Sequence, residues 1–441
     1  MKKIIISVIS ILAAASVMYI SACGAEVKAK AELIGSPAHT TSLPYSERTG
    51  KDFLDIKAGA NEFAYDFSEQ TYSLLGGSDN FAVAPVSVYM ALSVAAECAA
   101  GQTRDEIVSA LGMPYETLKN NFSKLYRSLI FEDSRYDRLT GKLSLTNSIW
   151  LNSGMSELLN VKDECIKSLS DKFFCYSYSA DFTNSNKQAN QALKDFIKEQ
   201  TNDLINNDFE ISQNVSFILL NTLYLKDLWN LNSDDLRLTD DSYEFTPSSG
   251  SVKSTKLLQS YYSVGRTYED ETFTHYYAQT SHGYKIKFIL PKDGYTVTDV
   301  FTAENIETVN TLTDYDALDE QNLIRYNTRC LFPEFSASFD GDVKKVLKSH
   351  FKINSMFDET SDFSTISDMK NTCSAVLHTT SLTVNRKGIE GAAVTRLDFA
   401  GSPGPDEYTD VYNDFVIDRA FGYVISNSND TIVFTGVVNG I

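Results

Sequence analysis

Helical and strand-like patterns are segregated along this chain, and that segregation excludes most architectures. Phe63, Phe67, Thr71 and Leu74 recur at helical spacing until Gly76-Gly77 ends the run. Residues 87–98 read as a second, mostly buried helix that closes near Gly101, and Thr103-Arg104-Asp105-Glu106 reads as a capping box ahead of Ile107, Ala110 and Leu111. Residues 115–131 and 185–205 give two further amphipathic helices. A different rhythm then takes over. Leu143, Leu145, Asn147, Ile149 and Leu151 alternate with polar residues, and 216–225 is a continuous apolar run of the kind expected in a strand covered on both faces. Residues 284–290 stop at Pro291, 375–385 form another long strand, and 421–426 and 431–438 bracket a tight turn at 427–430. Helices crowd the first third and strands the rest, which is an α+β domain and not an alternating α/β one. No repeat and no linker interrupts residues 51–441, so they are read as one large domain.

The first 22 residues are a targeting segment. Lys2-Lys3 precedes an apolar run from Ile4 to Ile20, shorter and more weakly flanked than a membrane span. The competing reading is an uncleaved anchor helix. Ile20-Ser21-Ala22-Cys23 favours cleavage, because it resembles a bacterial lipobox, in which the cysteine becomes residue one and carries acyl chains. Residues 23–50, rich in Ala, Lys, Ser, Thr and Pro, read as a flexible tether. The chain is then extracellular, anchored by lipid on Cys23 to the outer face of the cell membrane, or secreted.

Charge and cysteine usage exclude several functions. A net charge of −19 repels nucleic-acid phosphates and argues against a heparin-like activator. Of six cysteines and five histidines, none form a CxxC or a Cys/His cluster, so no metal and no cofactor is expected. Cys98, Cys330 and Cys373 lie in apolar or strand-like surroundings, and Cys165 with Cys175 is the most plausible disulfide pair. No GxSxG, HExxH, P-loop or GxGxxG motif occurs, so the chain is read as having no active site of its own.

A series of motifs along residues 55–441 then resembles one family. Asn80-Phe-Ala-Val-Ala-Pro-Val-Ser87 is similar to the strand-to-helix opening of serpins, and Gly101-Gln-Thr matches the start of their next helix. Asn221-Thr-Leu-Tyr-Leu-Lys-Asp-Leu-Trp229, Phe332-Pro-Glu-Phe335, Phe357, Asp362-Phe363-Ser364, His378, Val384-Asn385, Ala420-Phe421 and Phe434-Thr-Gly follow in the family's order. The resemblance implies a body of three β-sheets and about nine helices, with an exposed reactive-centre loop at about residues 386–416. It also implies a function: an irreversible suicide-substrate inhibitor of serine proteases, a monomer, that traps its acyl-enzyme by inserting the cleaved loop into the central sheet. The alternative is a non-inhibitory serpin acting as a surface ligand-binding or adhesion protein. A third possibility is an enzyme with an unfamiliar motif.

The loop can be read residue by residue. Its hinge is Gly388-Ile389-Glu390-Gly391-Ala392-Ala393-Val394-Thr395. Strand alternation puts Ile389, Gly391, Ala393 and Thr395 on one side, all uncharged and fit for burial, and leaves Glu390 on the other. Four departures from the family stand out: Ile389 for threonine, Gly391 for alanine, Arg386-Lys387 for an acidic pair, and Ala84 for serine. The charge reversal at Arg386 implies an altered partner at the top of the sheet. The resemblance implies a sheet-opening gate of Ser87, Asn221 and His378, with Trp229 packed under the loop's base. The bait bond falls in Phe399-Ala400-Gly401-Ser402, led by Ala400 or Ser402, which suits elastase-like or subtilisin-like targets. Phe399 leaves a chymotrypsin-like target open, and Arg396 would serve a trypsin-like one from too short a strand. Asp406, Glu407, Asp410 and Asp414 make the far flank acidic, as would steer a basic protease.

Overall fold

The computed structural model describes residues 29–135, 138–206, 210–229, 236–312, 318–319, 321–373, 375–391 and 408–441. Cys23, Ala392 to Thr395, Arg396, and the bait window Phe399 to Ser402 lie outside the described residues.

Four helices open the body: α1 (Lys51–Leu75), α2 (Pro85–Cys98), α3 (Gly101–Ala110) and α4 (Tyr115–Leu129). Two more, α5 (Asp163–Phe173) and α6 (Asn186–Gln200), flank the central sheet, and α7 (Ala303–Thr311) packs on α1. With three shorter turns of helix, this makes ten α-helices among the described residues. Pro85 starts α2 where its missing N–H costs nothing. Almost every residue of α2 is buried, so its apolar run has no polar face and it threads the core. Helix α3 begins at Gly101, earlier than a Thr103 cap would place it, and the expected capping box does not form. Thr103 Oγ1 instead accepts from the Asp362 N–H, and Glu106 accepts from the Asn354 and Ser355 N–H groups, so both side chains pin a distant loop.

The principal strands are β1 (Glu32–Gly35), β2 (Phe81–Val83), β3 (Phe131–Arg135), β4 (Arg138–Asn152), β5 (Cys175–Ala180), β6 (Phe217–Leu228), β7 (Phe273–Gln279), β8 (Lys285–Pro291), β9 (Ile324–Phe332), β10 (Phe335–Asp342), β11 (Leu377–Val384), β12 (Gly388–Gly391), β13 (Thr409–Val416), β14 (Phe421–Ser426) and β15 (Ile432–Val438). The order β1-β5-β4-β6-β12-β11-β10 forms the central sheet, and β2-β15-β14-β8-β7 a second. They meet at a single residue pair, Ser338 with Phe81. A third sheet centres on β9, with β13 parallel beside it. Between the first two sheets lies the main core, filled by α1, α2 and the inner faces of β14 and β15, whose residues are all buried. Among the described residues no helix is long and apolar enough to cross a membrane.

One expectation is corrected here. Residues 29–50 are not a featureless tether: β1 adds to the edge of the central sheet beside β5, and Leu43 is buried, its N–H bonded to Arg127 O at 2.7 Å. A four-residue edge strand needs only a partner's free edge, which no composition reveals. Cys165 and Cys175 are not paired with each other; both are free and buried, as are Cys98 and Cys330. Burial pushes the Cys175 thiol well up, and contact with Cys165 and burial do the same for Cys98.

Candidate functional site: the loop hinge and the slot beneath it

The turn after β11 sends the chain straight back into the sheet. Asn385 N–H donates to Gly388 O at 3.0 Å, and Asn385 Oδ1 takes the Lys387 N–H, closing a tight reversal at Arg386-Lys387. Strand β12 then lies between β6 and β11, antiparallel to both, pairing Gly388, Ile389, Glu390 and Gly391 with Leu228, Asp227, Lys226 and Leu225. Ile389 is 1% exposed. Glu390 points the other way and stays one-third exposed, where it accepts from Tyr224 OH at 3.0 Å and lies 3.9 Å from Lys226 Nζ. Burial, then the Glu390 carboxylate, raise the Tyr224 phenol.

Gly388 is there for lack of room. A Cβ on it would sit 1.9 Å from Asp227 O. Gly388→Ala is therefore expected to unseat β12 or distort β6, at a cost of about 1–3 kcal/mol. A lowered urea midpoint, together with a more solvent-exposed Trp229 emission, would register it.

Below this seat the two flanking strands part. On its other edge β6 pairs with β4 along nearly its full length, and β11 pairs with β10 throughout. On the facing edges, residues 217–224 of β6 and 377–382 of β11 have no strand between them among the described residues. Among the described residues, the two edges frame a slot with no strand in it.

The N-terminus of α2 forms the floor of the slot. The cluster expected of Ser87, Asn221 and His378 divides into two halves there. Ser87 Oγ donates to Asn221 Oδ1, and Asn221 Nδ2 passes the chain to Asn147 Oδ1 at 2.7 Å. Facing them, His378 Nε2 accepts the Ala84 N–H at 3.1 Å, and Thr380 Oγ1 donates to Ala82 O. One short segment thus holds both edges, β6 through Ser87 and β11 through Ala82 and Ala84. Trp229 caps the slot: its N–H donates to Lys387 O at 3.1 Å, its indole to Asn385 O at 2.6 Å, and its ring packs edge-on against Phe332.

Burial lowers His378 from 6.5 to about 4. The geometry agrees, since a second ring proton would face the Ala84 N–H. A depressed histidine contributes stability that is full above its ordinary value and is lost as pH falls toward the folded one. Between about pH 6.5 and about pH 4 the loss is on the order of 3 kcal/mol. Denaturant midpoints of the parent and His378→Gln, measured at both pH values, are expected to converge in acid.

At the loop's base the Glu334 carboxylate accepts the Arg386 backbone N–H at 2.9 Å, the Leu236 N–H donates to Arg386 O at 2.8 Å, and Arg386 Nε donates to Leu236 O at 3.3 Å. The far flank also departs from expectation. Asp410 and Asp414 are each clamped bidentately, by Arg325 at 2.6 and 2.9 Å and by Arg329 at 2.6 and 3.1 Å. Arg325 and Asn327 hold Asp410 down to about 2. Neutralised in place, these two carboxylates add little to a steering field; Asp406 and Glu407 lie outside the described residues. Sequence reasoning missed Tyr224, Glu334, the two arginines and Asp227. Only Asp227 left a signal, an acidic residue two positions before Trp229 in the strand motif.

The family model described as Serpin (serine protease inhibitor) matches residues 58–440. An uncharacterized serpin-like protein of Methanosarcina mazei is 22% identical over 394 residues, covering 87% of each chain. The thermophilic serpin tengpin in its native state superposes with a TM-score of 0.68 at 19% identity, over 93% of this chain and 100% of its own. Human thyroxine-binding globulin superposes with a TM-score of 0.68 at 20% identity, over 88% of this chain and 99% of its own. With a hinge strand seated between β6 and β11 and the family model spanning nearly the whole body, the chain belongs to the serpin family.

Proposed function

We propose that this protein is an irreversible suicide-substrate inhibitor of serine proteases, exported and held by lipid on Cys23 at the outer face of a bacterial membrane. The observation that carries the reading is the slot between β6 and β11, with the first four residues of the loop already at its head. A cut loop has somewhere to go: its residues can complete the pairing that 217–224 and 377–382 lack, drawing the acylated protease after them. The small residues of Phe399-Ala400-Gly401-Ser402 support an elastase-like or subtilisin-like target. Mixing the protein with elastase-, subtilisin-, chymotrypsin- and trypsin-like proteases and running a denaturing gel tests this. A protease-sized upshift with one of the first two is expected.

One feature favours a second reading, a non-inhibitory surface ligand-binding or adhesion protein. Ile389 already fills its seat in the uncut chain, with its bulk buried. A hinge so satisfied has less to gain from cleavage. Clipping by every protease with no upshift would select this reading.

A further inference from the structure

A histidine is held between two carboxylates immediately behind the hinge seat. Asp227, near the end of β6, is 0% exposed. Its carboxylate accepts from Thr280 Oγ1 and faces His282 Nδ1 at 2.7 Å. The other ring nitrogen, Nε2, faces Asp133 Oδ2 on β3 at 2.9 Å. Three segments converge on this imidazole: the β3–β4 hairpin, the end of β6, and the turn 280–284 between β7 and β8.

Ionised carboxylates accept hydrogen bonds and do not donate them. Both contacts are satisfied together only when each ring nitrogen carries a hydrogen, that is, when His282 is an imidazolium. Loss of one proton leaves one carboxylate facing a lone pair. The charged groups acting on the ring are Asp227 from β6 and Asp133 from β3; β4 supplies the Thr140 hydroxyl to Asp133 at 3.2 Å, and β3 also presents the Phe131 ring at 5.8 Å. Burial works to lower His282, but the bonds and charges of Asp227 and Asp133 outweigh it and hold the ring above its ordinary value. Burial pushes Asp227 up to about 6. Both shifts mean that the folded cluster binds protons more tightly than the unfolded chain. The histidine's contribution is full below its ordinary value and is lost as pH rises through the folded one, whereas the Asp227 shift acts lower, between the ordinary carboxylate value and about 6.

The hinge rests on this cluster. Ile389 is the register partner of Asp227, Gly388 lies against Asp227 O, and the Ser281 N–H holds Leu228 O at 2.8 Å. We propose that Asp133, His282 and Asp227 form a proton-dependent clasp on the upper end of β6, which seats the loop hinge firmly in mild acid and loosely in mild alkali. The clasp concerns the uncut chain and stands whether or not the loop traps a protease.

Hydrogen–deuterium exchange of the full chain tests it, with rates corrected for the intrinsic pH dependence of exchange. Protection of peptides covering 223–229 and 386–391 is expected to fall by up to about ten-fold per pH unit between the ordinary histidine value and the folded His282 transition and to level off above it, while 432–438 holds constant. His282→Gln is expected to show low protection at every pH. In Asp133→Asn the new amide can donate to a neutral Nε2, so protection is expected to stay high into alkali. Asp133 is one-third exposed, so this variant is compatible with folding even where His282→Gln is not. A flat profile in the parent, or an unchanged fall in Asp133→Asn, overturns the proposal.

Discussion

A single cut within residues 392–407 is expected to make this protein more heat-resistant, raising its melting temperature by about 10 °C or more. The reasoning starts from the facing edges of the slot, where 217–224 of β6 and 377–382 of β11 have no strand partner among the described residues. A strand entering there can form backbone hydrogen bonds on both sides, each worth about 1 kcal/mol net, and bury every second side chain, for a gain on the order of 10 kcal/mol. Unfolding entropy for a domain of this size is roughly 0.8–0.9 kcal/mol per degree, so a gain of that order moves the midpoint by about 10 °C. Nothing else in the fold gains from a nick, which by itself loosens a chain. Calorimetry on intact protein and on protein cut within 392–407, with the protease removed, gives the answer directly. Equal midpoints would remove the stored free energy on which trapping depends and leave the ligand-binding or adhesion reading standing.

Much of this arrangement was legible in the sequence wherever a residue's environment is set by its neighbours in the chain. The apolar run at 216–225 became β6, though residues 217–221 are only partly buried and not covered on both faces as the run implied, and the turn at 427–430 joins β14 to β15, because strand propensity and turn chemistry are local. The alternation of the hinge gives a buried Ile389 and a half-exposed Glu390 for the same reason. What could not be read were contacts between distant segments. Glu334 beneath Arg386, Arg325 and Arg329 across from Asp410 and Asp414, and β1 beside β5 each depend on where the sheet brings remote residues together. Thr103 and Glu106 show the same limit: a local motif that fits a helix cap is used instead to fasten residues 354–362. Asp227 sat in plain view in Lys-Asp-Leu-Trp, but its role became readable only when His282 and Asp133 were found beside it.

If the loop traps proteases as proposed, Ile389→Glu is expected to turn the protein from an inhibitor into a substrate. Ile389 is already seated in the uncut chain, so a glutamate there is expected to unseat the hinge; because cross-strand partners share a face, re-entry after cleavage would put the new carboxylate on the same side as Asp227, its register partner, which is itself fully buried. Two carboxylates in one dry site cannot both ionise cheaply, and an unpaired buried charge costs several kcal/mol. If about 3 kcal/mol of that cost falls on the insertion step, insertion slows by about 100-fold, long enough for the acyl-enzyme to hydrolyse and escape. The yield of denaturant-resistant complex should collapse, with the cleaved chain accumulating in its place. Ile389→Thr keeps the β-branch, adds no charge and should still trap. Acid should partly rescue the Glu variant, because a protonated carboxyl can be buried far more cheaply than an ionised one. If the Glu variant formed complex as efficiently as the parent at neutral pH, position 389 would have no need to enter the sheet during inhibition. The route from the hinge into the slot between β6 and β11 would then be the wrong one.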